Sequence, residues 1–600
     1  MKINLLKITG LSAAIMLLNG PAFSMNSEWE GANGFLNTNK LWQQVQTQKI
    51  ITGTVLDEKN QPVPGVGIKN QNSGKSAITD ADGKFSIEAN PADVIRITYI
   101  GYQTQNITIS NQSSLSIKLQ ESSDTKLNDV VVVGYGTRSQ RELTSAITKV
   151  DTSQFRQSGA RNALDLLQGK VAGLQISRNS SNPNSGVAIQ LRGVTSISGT
   201  STPLIVIDGI PGGNLDLLQQ DDIESFSVLK DGSAAAIYGT RANAGVILVT
   251  TKKGRKGPSQ FNYNGYVKHE TLYERPDFMN ATQFREKLAS GQYTAKDYGG
   301  DFNYFDDIIN KDNLTNYHNL SVAGGGENST YRGSFTYNKF DGFAKENSRE
   351  QYQFRMSLVQ KGFKDRVTAA FNVASNINKA NLLGGSGWEN VLTKNPTESY
   401  YNPDGSYLFT RNITNEVARL AQETNKRSQQ TYSVDGKIDI DIFKGLKAST
   451  FVAYQRNQYV DNQYRSLGSQ NSVENGDAPN GGYAYKGTRL EENFNFEPTI
   501  EYSKSINEKH RLTGMIGYSY RYEVNEEFSA NNRGYTNDIF EENNLGSVPI
   551  TVNRVGLASN KNDNTLIALF GRVHYTFDGK VNFEAVLRRE GSSRFGANNK

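Results

Sequence analysis

From residue 258 onward, apolar and polar side chains alternate with a period of two. Phe261, Tyr263, Gly265 and Val267 oppose Asn262, Asn264, Tyr266 and Lys268; Tyr331, Gly333, Phe335 and Tyr337 oppose Arg332, Ser334, Thr336 and Asn338. Tyr352, Phe354, Met356 and Leu358 oppose Gln353, Arg355 and Ser357. Similar ladders occupy residues 320–324, 367–373, 432–442, 446–454, 494–502, 512–522, 567–577 and 581–587, about eleven candidate strands in all. Many are near the 9–11 residues that a tilted span of a bilayer needs, with one apolar face for lipid and one polar face for water. A soluble sandwich alternates too. The long polar stretches 380–427 and 525–564 fit extracellular loops better than sandwich turns, so the pattern predicts the wall of a transmembrane antiparallel β-barrel.

Upstream the pattern changes twice. Residues 48–120 run in short β-rich bursts at 51–55, 62–66, 77–79, 85–87, 94–100 and 105–109, separated by Asp/Asn/Gly turns, which predicts a small β-sandwich. Asp80 and Asp82 suggest a calcium loop, but no Glu stands at its twelfth position, so Asp-Gly is read as a hairpin turn. Residues 138–254 mix a short amphipathic helix at 160–169 and a helical turn at 234–239 with strands at 187–193, 203–209, 223–230 and 245–251, predicting a compact α+β domain. Between the two lies Asp129-Val130-Val131-Val132-Val133-Gly134-Tyr135. Four consecutive valines form either a buried strand or a segment kept accessible for strand addition to a partner's sheet edge.

Composition narrows the function. Lys and Arg number 65 against 60 Asp and Glu, a net charge of +5, too small at this length to argue for nucleic acid. Cysteine is absent, which removes disulfides, thiolate nucleophiles and Cys-based zinc sites. The four histidines, His269, His318, His510 and His574, show no chelating spacing and follow no nucleophile elbow, so no enzyme is expected. The carboxylate pairs Asp221-Asp222 and Glu491-Glu492 are read as solvated surface. Lys2 and Lys7, an apolar run at 8–18 and Ala22-Phe23-Ser24 have the order of a secretory signal over residues 1–24, followed by a polar linker at 25–47. Export without cysteine points to a bacterial envelope.

Two resemblances then become specific. GTVLDEKNQPVPGV, TDADGKFSI and ITYIGYQTQ resemble the carboxypeptidase-regulatory-like domain, a transthyretin/Ig-like sandwich. LQGKVAGLQI, IQLRGVTSI, PLIVIDGIP and DDIESFSVLKDGSAAAIYGTRANAGVILVTTKKG resemble the plug of SusC-like TonB-dependent outer-membrane transporters. The resemblance implies a TonB box at 127–136, with Asp129 to Tyr135 as TonB-binding residues. Arg192, Gly193, Asp208, Gly209, Glu224, Lys230, Tyr238 and Gly239 carry the plug motif, and the barrel wall starts at 258. Arg192 and Glu224 are candidates for plug-to-wall ion pairs, the alternative being solvated surface charge.

Implied partners are TonB with ExbB/ExbD, a SusD-like surface lipoprotein and outer-membrane lipid, with the N-terminal domain in the periplasm. Implied substrates are glycan oligosaccharides, peptides in some members, and no cofactor is implied. Trp388, Tyr400, Tyr401 and Tyr407 are candidates for stacking on sugar rings, against loop packing or an interfacial belt. The segment RREGSSRFGANNK resembles one near mid-barrel, so about the first 11 of about 22 strands are expected here. Such a wall alone is not expected to insert as a working transporter, because two unpaired edges would face lipid. The rival readings are a TonB-linked signalling receptor and a non-transporting cell-surface adhesin.

Overall fold

The computed structural model describes residues 49–596 apart from 59, 100–101, 111, 121–129, 134–135, 140–145, 156–158, 179, 198, 200, 233–235, 385–387, 411–412, 475–480, 508 and 549–554. The signal and linker segments, Asp129, Gly134 and Tyr135 therefore lie outside the described residues. The chain divides into two compact units, residues 1–126 and 127–600.

The first unit is a two-sheet sandwich. One sheet joins Lys84–Ala89, Lys49–Leu56 and Ser114–Lys118; the other joins Ser76–Ile78, Gly67–Asn70, Val94–Thr98 and Gln105–Thr108. Their inward residues, Ile51, Val55, Ile68, Ile87, Ile95, Ile97 and Ile117 among them, form one core. One expected strand moved: residues 62–66 are not extended ladder, and Gly67–Asn70 pairs instead. Pro62 and Pro64 have no N–H to give a ladder. The Asp80 carboxylate accepts from the backbone N–H of Asp82 (3.0 Å) and Lys84 (2.8 Å), so it builds the turn.

In the second unit the wall is one antiparallel sheet of eleven strands, each paired with its sequence neighbour. They are Gly257–His269, Leu314–Gly325, Ser329–Asp341, Ser348–Gly362, Val367–Asn381, Glu423–Phe443, Leu446–Arg465, Tyr483–Ser505, His510–Arg533, Gly556–Phe577 and Val581–Ser592. Every alternating segment of the sequence falls inside one of them. The strands overrun the segments, however, so the polar stretches 380–427 and 525–564 are only partly loop: pairing continues from Lys426 with Asn381 and from Asn531 with Gly556. Polar residues on both neighbours satisfy the ladder without needing an apolar face, which is why composition read these stretches as loop.

Burial on this sheet is inverted relative to a water-soluble one. The face carrying Arg332, Ser334, Thr336 and Asn338, continued by Gln351, Gln353, Arg355 and Ser357, is buried. The opposite face, with Phe335, Phe354, Leu358, Ile438, Ile440, Ile516 and Leu569, is exposed. A sheet in water buries the apolar face. The arrangement here has its low free energy only where the outer surroundings are hydrocarbon.

The plug is folded around a five-stranded sheet in the order Ile147–Asp151, Ile223–Leu229, Val246–Thr251, Leu204–Ile207, Ile210–Pro211. Leu174–Ser177 and Ala188–Leu191 form a separate ribbon, and Leu164, Leu167, Leu191, Phe226 and Ile247 lie in the core between them. The expected helix at 160–169 is a 3-10 helix, Ala163–Leu167, closed by a capping box between Asn162 and Asp165.

Candidate functional site

The ends of the wall differ. At one end the strands connect through the short turns 326–328, 363–366, 444–445, 506–509 and 578–580; at the other, through the loops 270–313, 342–347, 382–422, 466–482 and 534–555. Short turns mark the periplasmic end of such barrels and long loops the extracellular end. The plug's last strand, Val246–Thr251, runs through residues 252–256 into Gly257, which pairs with Gly325 beside a short turn. The plug therefore joins the wall at its short-turn end.

The plug touches the wall from its first strand to its eleventh. Flat, eleven strands at about 4.8 Å spacing would be roughly 48 Å wide, whereas a domain of the plug's size is roughly 35 Å across. The sheet must therefore curve around the plug, and the buried polar face is the inside of the curve.

The contacts on strands one to six are made by charge. Asp222 accepts from Arg332 Nη1 and Ser334 Oγ, both at 2.7 Å, and the ion pair is 3% and 6% exposed at its two side chains. Asp221 accepts from Tyr317 OH (2.6 Å) and Asn264 Nδ2 (3.0 Å). Asp216 accepts from Arg349 Nη2 (2.6 Å) and Gln429 Nε2 (2.8 Å). Arg161 pairs with Glu270. The Asp208 carboxylate accepts from the Thr251 N–H (2.9 Å) and hydroxyl (2.7 Å) and from Arg355 Nη1 at 3.3 Å.

Local backbone explains why Asp208 faces the wall. Asp208 and Gly209 both have positive φ, 48° and 96°, and link Ile207 to Ile210 in a two-residue hairpin. Such a turn favours Asp-Gly because Asp tolerates the left-handed region and Gly has no Cβ to obstruct it.

On strands nine to eleven the contact is mostly apolar. Met515, Phe570 and Val586 of the wall pack with Ile237, Tyr238, Val246 and Leu248 of the plug. Arg588 donates to the Ile237 carbonyl (2.7 Å), and Glu590 accepts from the Thr240 N–H (3.1 Å) and hydroxyl (3.2 Å). Arg588 and Glu590 also pair with each other at 2.7 Å.

Two alternatives that the sequence leaves open are decided, and one expectation is corrected. Arg192 does not reach the wall; it pairs with Asp231 inside the plug and donates to the Lys230 carbonyl. Glu224 lies 3.9 Å from Arg255 of the joint, both exposed. Asp221-Asp222 is no solvated pair but a wall anchor. Asp222 has no apolar periodicity to betray its burial, and its partner stands 110 residues away. Glu491 and Glu492 sit on opposite faces of one strand: Glu491 accepts from Asn457 and Glu492 from Tyr454.

Burial pushes the Asp216 carboxyl up, but the Arg349 guanidinium and the hydrogen bonds from Arg349 and Gln429 outweigh it and hold the group below 3.8. A depressed carboxylate contributes stability above its unfolded value, and that stability is lost as pH falls through the folded value. Protection of the Leu215–Leu217 amides, measured against the intrinsic exchange rate at each pH, is therefore expected to fall below about pH 3.8. Asp216→Asn should remove that acid step; an unchanged step in the variant would assign it to another group.

At the extracellular end, loops 270–313 and 382–422 pack on each other. Tyr400 is buried, stacked edge-on against Tyr304 at 4.1 Å and hydrogen-bonded to Asp307. Tyr401 stacks on Tyr407 at 5.2 Å. These tyrosines are loop packing; the Trp388 side chain lies outside the described residues. The loops enclose a cavity of about 740 Å³ bordered by Phe278, Phe284, Phe302 and Phe305.

The valine run is extended. Val130–Val133 pairs antiparallel with Gly136–Ser139, and a Cβ at Gly136 would stand 3.7 Å from Arg572 of the tenth strand.

An inverted polar-in sheet curved around a plug held by lumen-facing charges defines the class: an outer-membrane barrel wall with its internal plug. Comparison with known proteins agrees. A family model of the CarboxypepD_reg-like domain matches residues 51–133, and one of the TonB-dependent receptor plug domain matches residues 139–246. TonB-dependent receptor P26 of Formosa agariphila is 32% identical over 574 residues, 92% of this chain and 57% of the relative. TonB-dependent receptor SusC of Bacteroides thetaiotaomicron is 28% identical over 615 residues, 94% of this chain and 58% of the relative.

The RagAB peptide importer in its open-open state has the same fold, with a TM-score of 0.68 at 22% identity, over 78% of this chain and 57% of that one. Over nearly its whole length the chain is similar to SusC-like TonB-dependent receptors, and it carries matches to their CarboxypepD_reg-like and plug domains. It spans about half the length of the curated relatives it matches.

Proposed function

We propose that the chain serves TonB-dependent import of a nutrient across the outer membrane, with oligosaccharide as the substrate class and a SusD-like surface lipoprotein as the extracellular partner. The observation that carries this reading is the plug–wall interface. A permanent stopper would be sealed by apolar packing, whereas strands one to six hold this plug through carboxylates and guanidinium groups that water can take over.

Energy would enter at Asp129 to Tyr135. Val130–Val133 is paired along one edge with Gly136–Ser139, and among the described residues no strand is laddered to its other edge, the one a strand of TonB would take. A pull there is transmitted to Ile147–Asp151, the edge strand of the plug sheet, whose ladder partner is Ile223–Leu229. Force applied at Ile147 loads the Ile147–Leu229 end of an antiparallel ladder first and opens it pair by pair, which needs less force than shearing all pairs together.

Replacing Val131 and Val133 together by proline removes two ladder donors. Energised uptake should fall to the level of a TonB-deficient cell, with surface display unchanged. Undiminished uptake in the displayed variant would refute the coupling segment.

A further inference from the structure

On its outer face the wall carries a shallow groove of about 520 Å³ across strands eight to eleven. It is bordered by Pro498, Ile500, Ile516, Tyr518, Leu569 and Leu587, with Arg589 at one end. We propose that this groove seats one anionic lipid of the outer leaflet, with an acyl chain along its floor and a phosphate on Arg589. The site lies on the side of the wall away from the plug, and it does not depend on which nutrient is carried.

Two residues make the groove. Pro498 has no N–H to give the ladder. The register of strands eight and nine pairs Phe496 with Tyr520 and Thr499 with Gly517, and it leaves out Glu497 and Pro498 between them. Gly571 is the outward residue of strand ten between Leu569 and Val573, and it has no side chain to fill the surface. Alternation then sets two rows across the four strands. Ile500, Ile516, Gly571 and Leu587 form one; Tyr518, Leu569 and Arg589, with Pro498 beside Tyr518, form the next. The second row lies toward the long-loop end, because strand nine runs from the short turn at 506–509 to the loop at 534–555.

The groove therefore has a polarity. Its row nearer the short turns is hydrocarbon, and its row nearer the long loops ends in a phenol and a guanidinium. Beyond that row, Tyr520 and Tyr522 continue the outward face of strand nine as an aromatic girdle of the kind found where lipid meets water. A lipid of the outer leaflet has the same order, headgroup toward the loops and chains toward the middle of the wall. A lipid of the inner leaflet has the reverse.

The charge selects among such lipids. Arg589 is exposed and has no hydrogen-bond or ion-pair partner among the described residues. Arg456, outward on strand seven, has Glu492 of strand eight at 3.9 Å. A guanidinium beside hydrocarbon is costly unless something pairs with it. A phosphate accepts two parallel N–H bonds from a guanidinium, which a neutral headgroup cannot match.

The experiment uses the full chain in a neutral detergent, with diphosphoryl lipid A, phosphate-free lipid A and inorganic phosphate as probes. Native mass spectrometry counts the lipid retained, and heat resistance on gels reports an intact barrel. One copy of the phosphorylated lipid should be retained. Removing its phosphates, or Arg589→Gln, should lower retention about tenfold or more, because the paired charge is lost. Gly571→Leu should do the same by filling the floor, while Val573→Leu, outside the groove, should stay within about threefold. Excess inorganic phosphate should displace nothing, since it brings no chain.

Equal retention of the two lipids, or undiminished retention in Arg589→Gln, overturns the charge-directed site. Undiminished retention in heat-resistant Gly571→Leu places the lipid elsewhere and overturns the groove. Displacement by inorganic phosphate overturns the lipid as occupant. If a variant yields no heat-resistant barrel, the comparison of the two lipids on the unaltered protein still decides.

Discussion

Asp222→Ala is expected to release the plug from the third strand and to cost about 3–5 kcal/mol, the range for removing one partner of a buried ion pair. The loss exceeds what the pair itself contributes, because Arg332 would remain buried, 6% exposed at its side chain, with Ser334 as its neighbour. The unpaired guanidinium would draw water into the seam. Protease nicking of the plug in otherwise intact outer-membrane protein should rise, and so should leakage of small solutes. A double replacement, Asp222→Leu with Arg332→Met, should recover much of the stability because no charge is stranded. Equal damage in the single and double variants would show that the pair is not what anchors the plug at this strand.

Gly239→Ala is the second large effect, at the opposite side of the bore. Gly239 has a φ of 72°, where an L residue is strained by about 1–2 kcal/mol. Its missing Cβ also makes room for the Glu590 carboxylate, which a methyl group would displace. That carboxylate accepts two hydrogen bonds from Thr240 and pairs with Arg588, which in turn holds the Ile237 carbonyl. Charge-assisted bonds of this kind contribute about 1.5–3 kcal/mol each. The expected loss is therefore several kcal/mol, seen as a lowered midpoint for plug release with the barrel's own heat resistance retained. A variant that releases the plug at the wild-type midpoint would mean that Glu590 can move aside without cost.

The two variants probe different physics. On strands one to six the plug is held largely by buried charge, and the Asp216 contact there is the one expected to weaken in acid. On strands nine to eleven it is held by Tyr238, Met515 and Phe570 and by backbone contacts to Arg588 and Glu590.

Much of the fold is legible in the sequence. A period of two places alternate residues on opposite faces, so alternation alone marks the eleven wall strands and their apolar face. Asp208-Gly209 marks a turn for a local reason and does take positive φ, whereas Arg192-Gly193, read as the end of the strand at 187–193, takes positive φ too and ends the strand before it. Strand ends are not legible where both neighbours are polar, as at residues 423–431 and 525–533. Nor is 3-10 geometry at Ala163–Leu167 distinguishable from one α-helical turn.

The site is less legible than the fold. Arg192 and Glu224 look, as residue types, as suitable for an ion pair as Asp222 and Arg332 do. Which carboxylate reaches the wall is decided by the curvature of the sheet and by where the plug strands end, contacts more than a hundred residues apart in the chain. Local alternation sets which face a side chain is on, because it depends only on the backbone's own repeat. Partner choice across a bore depends on where two separate bodies meet, and only the tertiary structure decided that.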